Sequence, residues 1–341
     1  MAETAKSSKP RRSKENPGEA SADEGGKALH QAALAAFVAA DPASAKLLQH
    51  IRKVAAADST VLIQGESGVG KDVVSSLIHY LGPRPEQPLI KIDCASLPHE
   101  LLESELFGYE RGAFTGASQM KRGRMELAAT GTIVLDEVAS LSLAMQAKML
   151  RVIQERSFDR LGGTKPVKLH ARIIAISNVD LQDAVAAGAF REDLFYRLNV
   201  VPIHVPALRE RPLDIKPLAI KLLAQIAATY RRPGPDPTAL KLAADAMAAL
   251  QAYPFPGNVR ELRNLLERAV VHAMGNEITA ADLPSGVRDL TAKAKKPSLE
   301  ELERNYIAEI LDYTRGRKSK AADILGISRK TLLEKRKKYG L

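Results

Sequence analysis

Apolar residues follow two rhythms along this chain. Up to Val205, short runs without polar alternation recur: Val61-Leu62-Ile63, Leu89-Ile90-Lys91-Ile92, Gly131 to Leu135, Arg172 to Ile176 and Asn199 to Val205. Such runs mark strands buried on both faces. Stripes at helical spacing lie before and between them: Leu47, Leu48, Ile51 and Val54 in an alanine-rich stretch from Ala28 to Ala57, then Val73, Val74, Leu77, Ile78 and Leu81, then Leu101 to Phe107. A longer stripe holds Met145, Met149, Leu150, Val152 and Ile153, with both methionines read as core, and Phe190 to Leu198 forms a short helix. Five strands alternating with helices predict an α/β fold with a parallel sheet covered on both faces. From Pro206 the second rhythm begins, helices alone. The expected organisation is a disordered polar tail (1–27), an α/β domain (28–205), a helical lid subdomain (206–283), a linker (284–297) and a small helical domain (298–341).

Composition narrows this picture. At 341 residues there is room for two or three domains, and no stretch approaches the ~18 uncharged apolar residues of a membrane span. The start of the chain lacks a signal-peptide apolar core. Cys94 is the only cysteine, so internal disulfides and cysteine zinc clusters are excluded; its apolar neighbours predict a buried thiol in a reducing compartment such as a bacterial cytoplasm. The net charge is +10, and residues 291–341 hold 14 Lys/Arg against 7 Asp/Glu, so this end supplies +7 of it. A basic terminal segment points to nucleic acid.

The chemistry is concentrated at strand ends. After the first strand comes Gly65-Glu66-Ser67-Gly68-Val69-Gly70-Lys71-Asp72, the G-x-x-x-x-G-K spacing of a phosphate-binding loop. Its glycines let successive N–H groups converge on one point, the following helix directs its positive end there, and Lys71 adds a mobile cation. A hydroxyl residue usually follows the lysine and serves Mg²⁺; here it is Asp72, so the metal must be held from elsewhere. Leu135-Asp136-Glu137 ends another strand with two carboxylates: Asp136 for Mg²⁺ and Glu137 as general base on the attacking water. Asn178, after a third strand, is placed to hydrogen-bond that water or the γ-phosphate. Arg260 follows a Pro256-Gly257-Asn258 turn, with Asn258 as an expected helix cap and Arg260 at an end that could face nucleotide.

Two further segments call for partners. Gly112-Ala113-Phe114-Thr115-Gly116-Ala117 is rich in small residues; it either presents an aromatic tip or tucks Phe114 into the core. Lys320 to Leu333 reads as helix, Gly326 turn and second helix capped by Ser328, a helix-turn-helix. Lys318, Lys320, Ser328, Arg329, Lys330, Thr331 and Lys335 are the candidate DNA contacts, with Leu332 and Leu333 packing inward. An amphipathic stretch at Leu299 to Leu311 is expected to pair two copies on a palindromic site.

These motifs, with Glu103 to Gly108, Phe190-Arg191, Arg197-Leu198 and Gly257 to Leu262, closely resemble the sigma-54-dependent transcriptional activators, the bacterial enhancer-binding proteins of the AAA+ class, over residues 35–341. The Gly112–Ala117 hexapeptide is very specific to that class, and the resemblance implies that it is an exposed loop. It also implies an AAA+ five-stranded parallel sheet, a helical lid and a Fis-type helix-turn-helix. ATP and Mg²⁺ would be cofactors. Asn178 and Arg260 would be the two sensor residues, and Arg191 and Arg197 would reach into a neighbouring subunit's site. Dimers would assemble into a ring, normally a hexamer, that binds upstream double-stranded DNA. Phe114 and Thr115 would touch the sigma factor, and ATP hydrolysis would convert the closed complex of the sigma-54 RNA polymerase holoenzyme into an open one. The family commonly carries an acidic residue where Asp72 stands.

Departures from the family pattern shape the expectations. Asp93 stands where many relatives have the asparagine that orients the catalytic glutamate, which predicts like-charge repulsion with Glu137 and a raised pKa in one of the pair. Ser177 stands where threonine is common. Only a short tail precedes the ATPase region, so regulation by a protein acting in trans, or by expression level, is expected. The competing classes are a DNA-binding regulator whose ATPase-like domain serves only assembly, and a helicase or clamp-loader motor. The intact hexapeptide argues against the first, and that loop together with the helix-turn-helix argues against the second.

Overall fold

A computed structural model describes residues 28–230, 240–273, 275–288, 299–314 and 317–341. The tail expected at 1–27 and residues 289–297 of the expected linker lie outside the described residues. The chain divides into two compact units: the described residues through Lys241 together with Pro254–Val271, and Leu242–Tyr253 together with the described residues from His272 to Leu341.

The first unit is built on a five-stranded sheet. Its strands are β1 (Val61–Gln64), β2 (Leu89–Asp93), β3 (Thr132–Asp136), β4 (Arg172–Ser177) and β5 (Val201–His204), in the spatial order β2-β3-β4-β1-β5 with parallel pairing. Burial follows that order. Every residue of the central β4 is buried, whereas the edge strand β2 buries only Ile92 fully and leaves Lys91 and Asp93 exposed. Two apolar clusters lie on the sheet. One gathers Leu62, Ile133, Leu135, Ile173 and Ala175 with Leu102, Leu106, Met145 and Met149; the other gathers Val61, Ile63, Val134, Ile174 and Ile176 with Ile51, Leu77 and Ile78. Alternate residues of one strand thus serve opposite faces, as the unbroken apolar runs require.

The alanine-rich stretch is not one helix. It is helical at 28–36 and again at Pro42–Ala55, where Asp41 accepts from the Ala43 amide and Pro42 occupies the first turn. The C-terminal end of that second helix rests on a buried cation: the Arg172 guanidinium donates to the carbonyls of Val54 (2.9 Å), Ala55 (3.2 Å) and Ser59 (3.1 Å). Phe158 to Pro166 links a hairpin of Ser157–Asp159 with Pro166–Lys168. Cys94 is buried, and burial pushes its thiol up to about 12, as suits an inert core residue.

In the second unit, helix Leu299–Tyr313 packs with Lys318–Leu325 and Arg329–Tyr339 through a core of Ile307, Ile310, Ala321, Ala322 and Leu332. Gly326 ends the first short helix at φ 65°, and Ser328 caps the next by accepting from the Thr331 amide at 3.0 Å. One expectation is corrected: Leu332 is buried but Leu333 is 51% exposed. The helix turns by about 100° per residue, so two successive leucines cannot both face a core this narrow.

Candidate phosphate site and output loop

Three strands deliver the predicted chemistry to one end of the sheet. β1 runs into Gly65–Gly70, β3 ends at Asp136, and β4 is followed by Asn178. This is the carboxyl edge, where open α/β sheets bind ligands. The loop glycines are demanded by sterics. A Cβ on Gly65 would lie 2.6 Å from the Val205 carbonyl oxygen, and one on Gly68 would lie 2.5 Å from that of Gly257. Both have positive φ, 152° and 78°. Lys71 begins helix Lys71–Tyr80; it is buried, and its ammonium donates to the carbonyls of Gly65 (2.7 Å) and Glu66 (2.9 Å). Burial lowers its pKa, against the opposing pull of Asp136, Glu137 and Asp72.

Glu137 sits at φ 54°, a left-handed backbone that turns its carboxylate out of the strand line, where Asn178 donates to it at 3.2 Å. Asp93 is level with Asp136 on the neighbouring strand, but its carboxylate accepts from the Ala95 amide at 2.9 Å and so closes its own turn. Among the described residues the glutamate's side-chain partner is therefore the expected first sensor, Asn178. Asp136 accepts from the Glu137 amide (3.1 Å) through Oδ1, while its Oδ2 lies 3.1 Å from the Lys91 ammonium, which also bonds Asp72.

The phosphate loop is clasped from outside by residues that motif reading did not single out. Arg209 grips the Glu66 carboxylate with two bonds, 2.8 and 2.6 Å, and Arg211, itself buried beside Asp214, donates to the Val69 carbonyl at 2.6 Å. Asn258 is corrected from a helix cap to a clasp. It is fully buried, its side chain donates to Glu66 Oε2 and to the Ser67 carbonyl (both 3.0 Å), and its Oδ1 accepts from the Leu208 amide at 2.8 Å. Its φ of 53° explains the choice of residue, since asparagine tolerates this region better than most. Arg260 donates to the Ser67 hydroxyl at 2.8 Å and lines a cavity of about 380 Å³ with Ser67, Gly257, Glu261 and Arg268. Held by Arg209 and then Asn258, Glu66 has its carboxyl lowered to about 2.

The Gly112–Ala117 segment is a closed turn. Gly112 donates to the Ala117 carbonyl (2.9 Å) and Ala117 to that of Phe114 (3.0 Å). Phe114 is 48% exposed, its ring set edge-on to Tyr109 at 4.9 Å, and Thr115 is exposed beside it. Of the two readings, the presented tip is the one the structure holds. Arg160 braces the base, donating to Glu110 (2.6 Å) and to both oxygens of Glu126. Arg191 and Arg197 are exposed; Arg191 forks onto Asp193 (3.0 and 2.7 Å), and no described side-chain bond takes either arginine to the phosphate loop, Asp136 or Glu137.

Comparison with known proteins decides the family. Residues 37–204 match the sigma-54 interaction domain, 209–300 an AAA+ ATPase lid domain and 298–339 the Fis family of bacterial regulatory proteins. The regulatory protein AtoC of Escherichia coli (strain K12) is 42% identical over 312 residues, covering 88% of this chain and 67% of AtoC. The chain belongs to the sigma-54-dependent transcriptional activators. ZraR of Salmonella typhimurium is 42% identical, over 92% of this chain and 71% of its own. The E. coli activator HyfR is 44% identical, but the match spans only 46% of its length. NtrX from Brucella abortus, crystallised with ATP, superposes with a TM-score of 0.67 at 36% identity, over 89% of this chain and 69% of that one. As in other members of this family, an AAA+ ATPase region is followed by a Fis-type DNA-binding helix-turn-helix.

The DNA-reading candidates Lys318, Lys320, Ser328, Arg329 and Lys330 are exposed, and Thr331 is half-buried beside the Ser328 cap. Lys335 is engaged within the fold: its ammonium pairs with Glu303, which also accepts from the Tyr339 hydroxyl at 2.6 Å. Among the described residues no helix is long and apolar enough to cross a membrane.

Proposed function

We propose that this activator hydrolyses ATP in a ring of subunits bound to upstream DNA, and that hydrolysis moves the Gly112–Ala117 loop to open the sigma-54 holoenzyme's closed complex. The observation that carries the reading is an exposed Phe114–Thr115 tip in the same compact unit as an assembled phosphate site. In this reading the loop amides and Lys71 bind the phosphates. Glu137, steadied by Asn178, takes the proton of the attacking water. Arg260, already against the phosphate loop, reports the state of the phosphates to the helix that carries it.

Magnesium suits the donor set. Asp136 is a hard oxygen donor, and it already shares a cation with neighbouring Asp72. No cluster of three or more His, Cys, Asp or Glu is present among the described residues, and magnesium on a nucleotide needs only one or two carboxylates besides phosphate and water. When bound, it would neutralise charge on the β- and γ-phosphate oxygens. The exposed Arg191 and Arg197 fit donation to a neighbour's site, and a finger of this kind is typically worth about 10³–10⁵ in rate. The domain limits at 28–205, 206–283 and 298–341, a paired C-terminal helix, a palindromic DNA site and a regulator acting in trans belong to the same proposal.

Substitution of Thr115 separates a working motor from an ATPase-like domain kept only for assembly. Thr115→Ala is expected to abolish open-complex formation on a sigma-54 promoter, read by permanganate footprinting, while ATP turnover stays within about twofold, because the side chain is exposed. Unchanged promoter opening would contradict the proposal.

A further inference from the structure

The cation shared by the two carboxylates has a consequence for metal entry. Lys91 lies on the edge strand β2, Asp72 in the first turn of helix Lys71–Tyr80 and Asp136 at the end of β3. The Lys91 ammonium bonds Asp72 Oδ1 and lies 3.1 Å from Asp136 Oδ2. Asp136 Oδ1 accepts from the Glu137 amide, and Lys91 sits on Oδ2, the oxygen without a backbone donor. A lysine paired with two carboxylates carries its ordinary positive charge at neutral pH. In this chain an ammonium on a flexible stem and a divalent ion would compete for one carboxylate oxygen.

We propose that Lys91 is a tethered counter-ion of the metal carboxylates, one that keeps divalent cation arriving alone off Asp136 and yields to cation carried on nucleotide phosphate. With Lys91 and Lys71 both nearby, an added hydrated dication meets two like charges and a carboxylate pair already half neutralised. Cation brought on a polyphosphate arrives with the phosphates' negative charge, which offers the Lys91 ammonium a second anion to pair with. The lysine interrupts the Leu89-Ile90-Lys91-Ile92 run, and β2's edge position lets its side chain reach both acids. The inference rests on the nucleotide reading above.

The test uses the full chain and two titrations: Mn²⁺ alone, followed by electron paramagnetic resonance, and Mn²⁺ with ADP. Lys91→Met keeps the aliphatic stem and removes the charge; it is expected to bind Mn²⁺ alone about tenfold tighter than the unsubstituted chain. Lys91→Arg should retain the weak binding, and adding Asp136→Asn to Lys91→Met should erase the gain. Lys91→Gln serves the same purpose should the methionine variant fold poorly. Equal Mn²⁺ affinity in the charged and uncharged variants, with ADP binding intact, would overturn the proposal and leave the nucleotide site standing. A gain that survives Asp136→Asn would also overturn it. Failure of the unsubstituted chain to bind ADP at all would remove the nucleotide reading and this proposal together.

Discussion

Two glycine-rich loops in the first unit use glycine for opposite reasons. The phosphate loop is wrapped by other segments: Gly65 and Gly68 lie where a Cβ would strike the carbonyls of Val205 and Gly257, and Arg209, Arg211 and Asn258 hold the backbone between them. In the Gly112–Ala117 loop, a Cβ on Gly112 or Gly116 would meet nothing within 4 Å, and the turn closes mainly on its own backbone. Glycine buys close approach in the first and a positive φ with open space in the second. In the proposed function the first loop presents amides to phosphate and is fixed from outside, whereas the second would move against a partner and keeps few outside ties.

Single substitutions probe how firmly each loop is held. The largest effect is expected from Gly68→Ala, where an added methyl meets the Gly257 carbonyl at a φ of 78°. Strain of this kind costs about 1–3 kcal/mol, so ADP affinity should fall about five- to 150-fold by calorimetry. A loss below about twofold would mean the clasp gives way easily. Next comes Asn258→Ala, which leaves the buried Leu208 amide without its 2.8 Å acceptor and the Ser67 carbonyl without a donor. Urea unfolding should show a loss of about 1–3 kcal/mol; no loss would reduce the clasp to a surface contact.

The smallest effect concerns pH. Glu66 has a folded pKa of about 2 against an ordinary 4.5. A depressed carboxylate contributes stability that is complete above its ordinary value and is lost as pH falls through the folded one. Stability should therefore drop more steeply between pH 4.5 and 2 in the unsubstituted chain than in Glu66→Gln, with both measured by urea midpoints. Since Glu66 is nearly half exposed, solvent screening keeps the difference modest. Parallel curves would place the Arg209 pair outside the clasp's energetics.

The sheet and its site end were legible because long-range order there follows local pattern. Unbroken apolar runs put β1, β3 and β4 in the middle, and strand ends carried Lys71, Asp136, Glu137 and Asn178 to one edge. Arg209 and Arg211 were not legible, because their partners lie more than a hundred residues away in sequence and no spacing connects them. Asn258 was misread for a related reason: a polar residue before a helix suits a local cap, and only tertiary packing turned it toward the phosphate loop. Lys91 did leave a trace, a lone charge in an apolar strand, but its meaning depended on the register that sets β2 beside β3. The Asn178–Glu137 bond likewise depends on β4 lying next to β3.

In the proposed function hydrolysis is completed between subunits, with exposed Arg197 supplying one chain's charge to another's phosphates. Complementation between two disabled chains separates shared sites from self-contained ones. Arg197→Ala and Lys71→Ala chains are each expected to be nearly inactive alone, and ATP turnover is measured on their equimolar mixture. Shared sites predict recovered turnover, because roughly a quarter of the interfaces in a randomly mixed ring pair an intact lysine with an intact arginine. A mixture no more active than its two components would rule out sites shared between subunits.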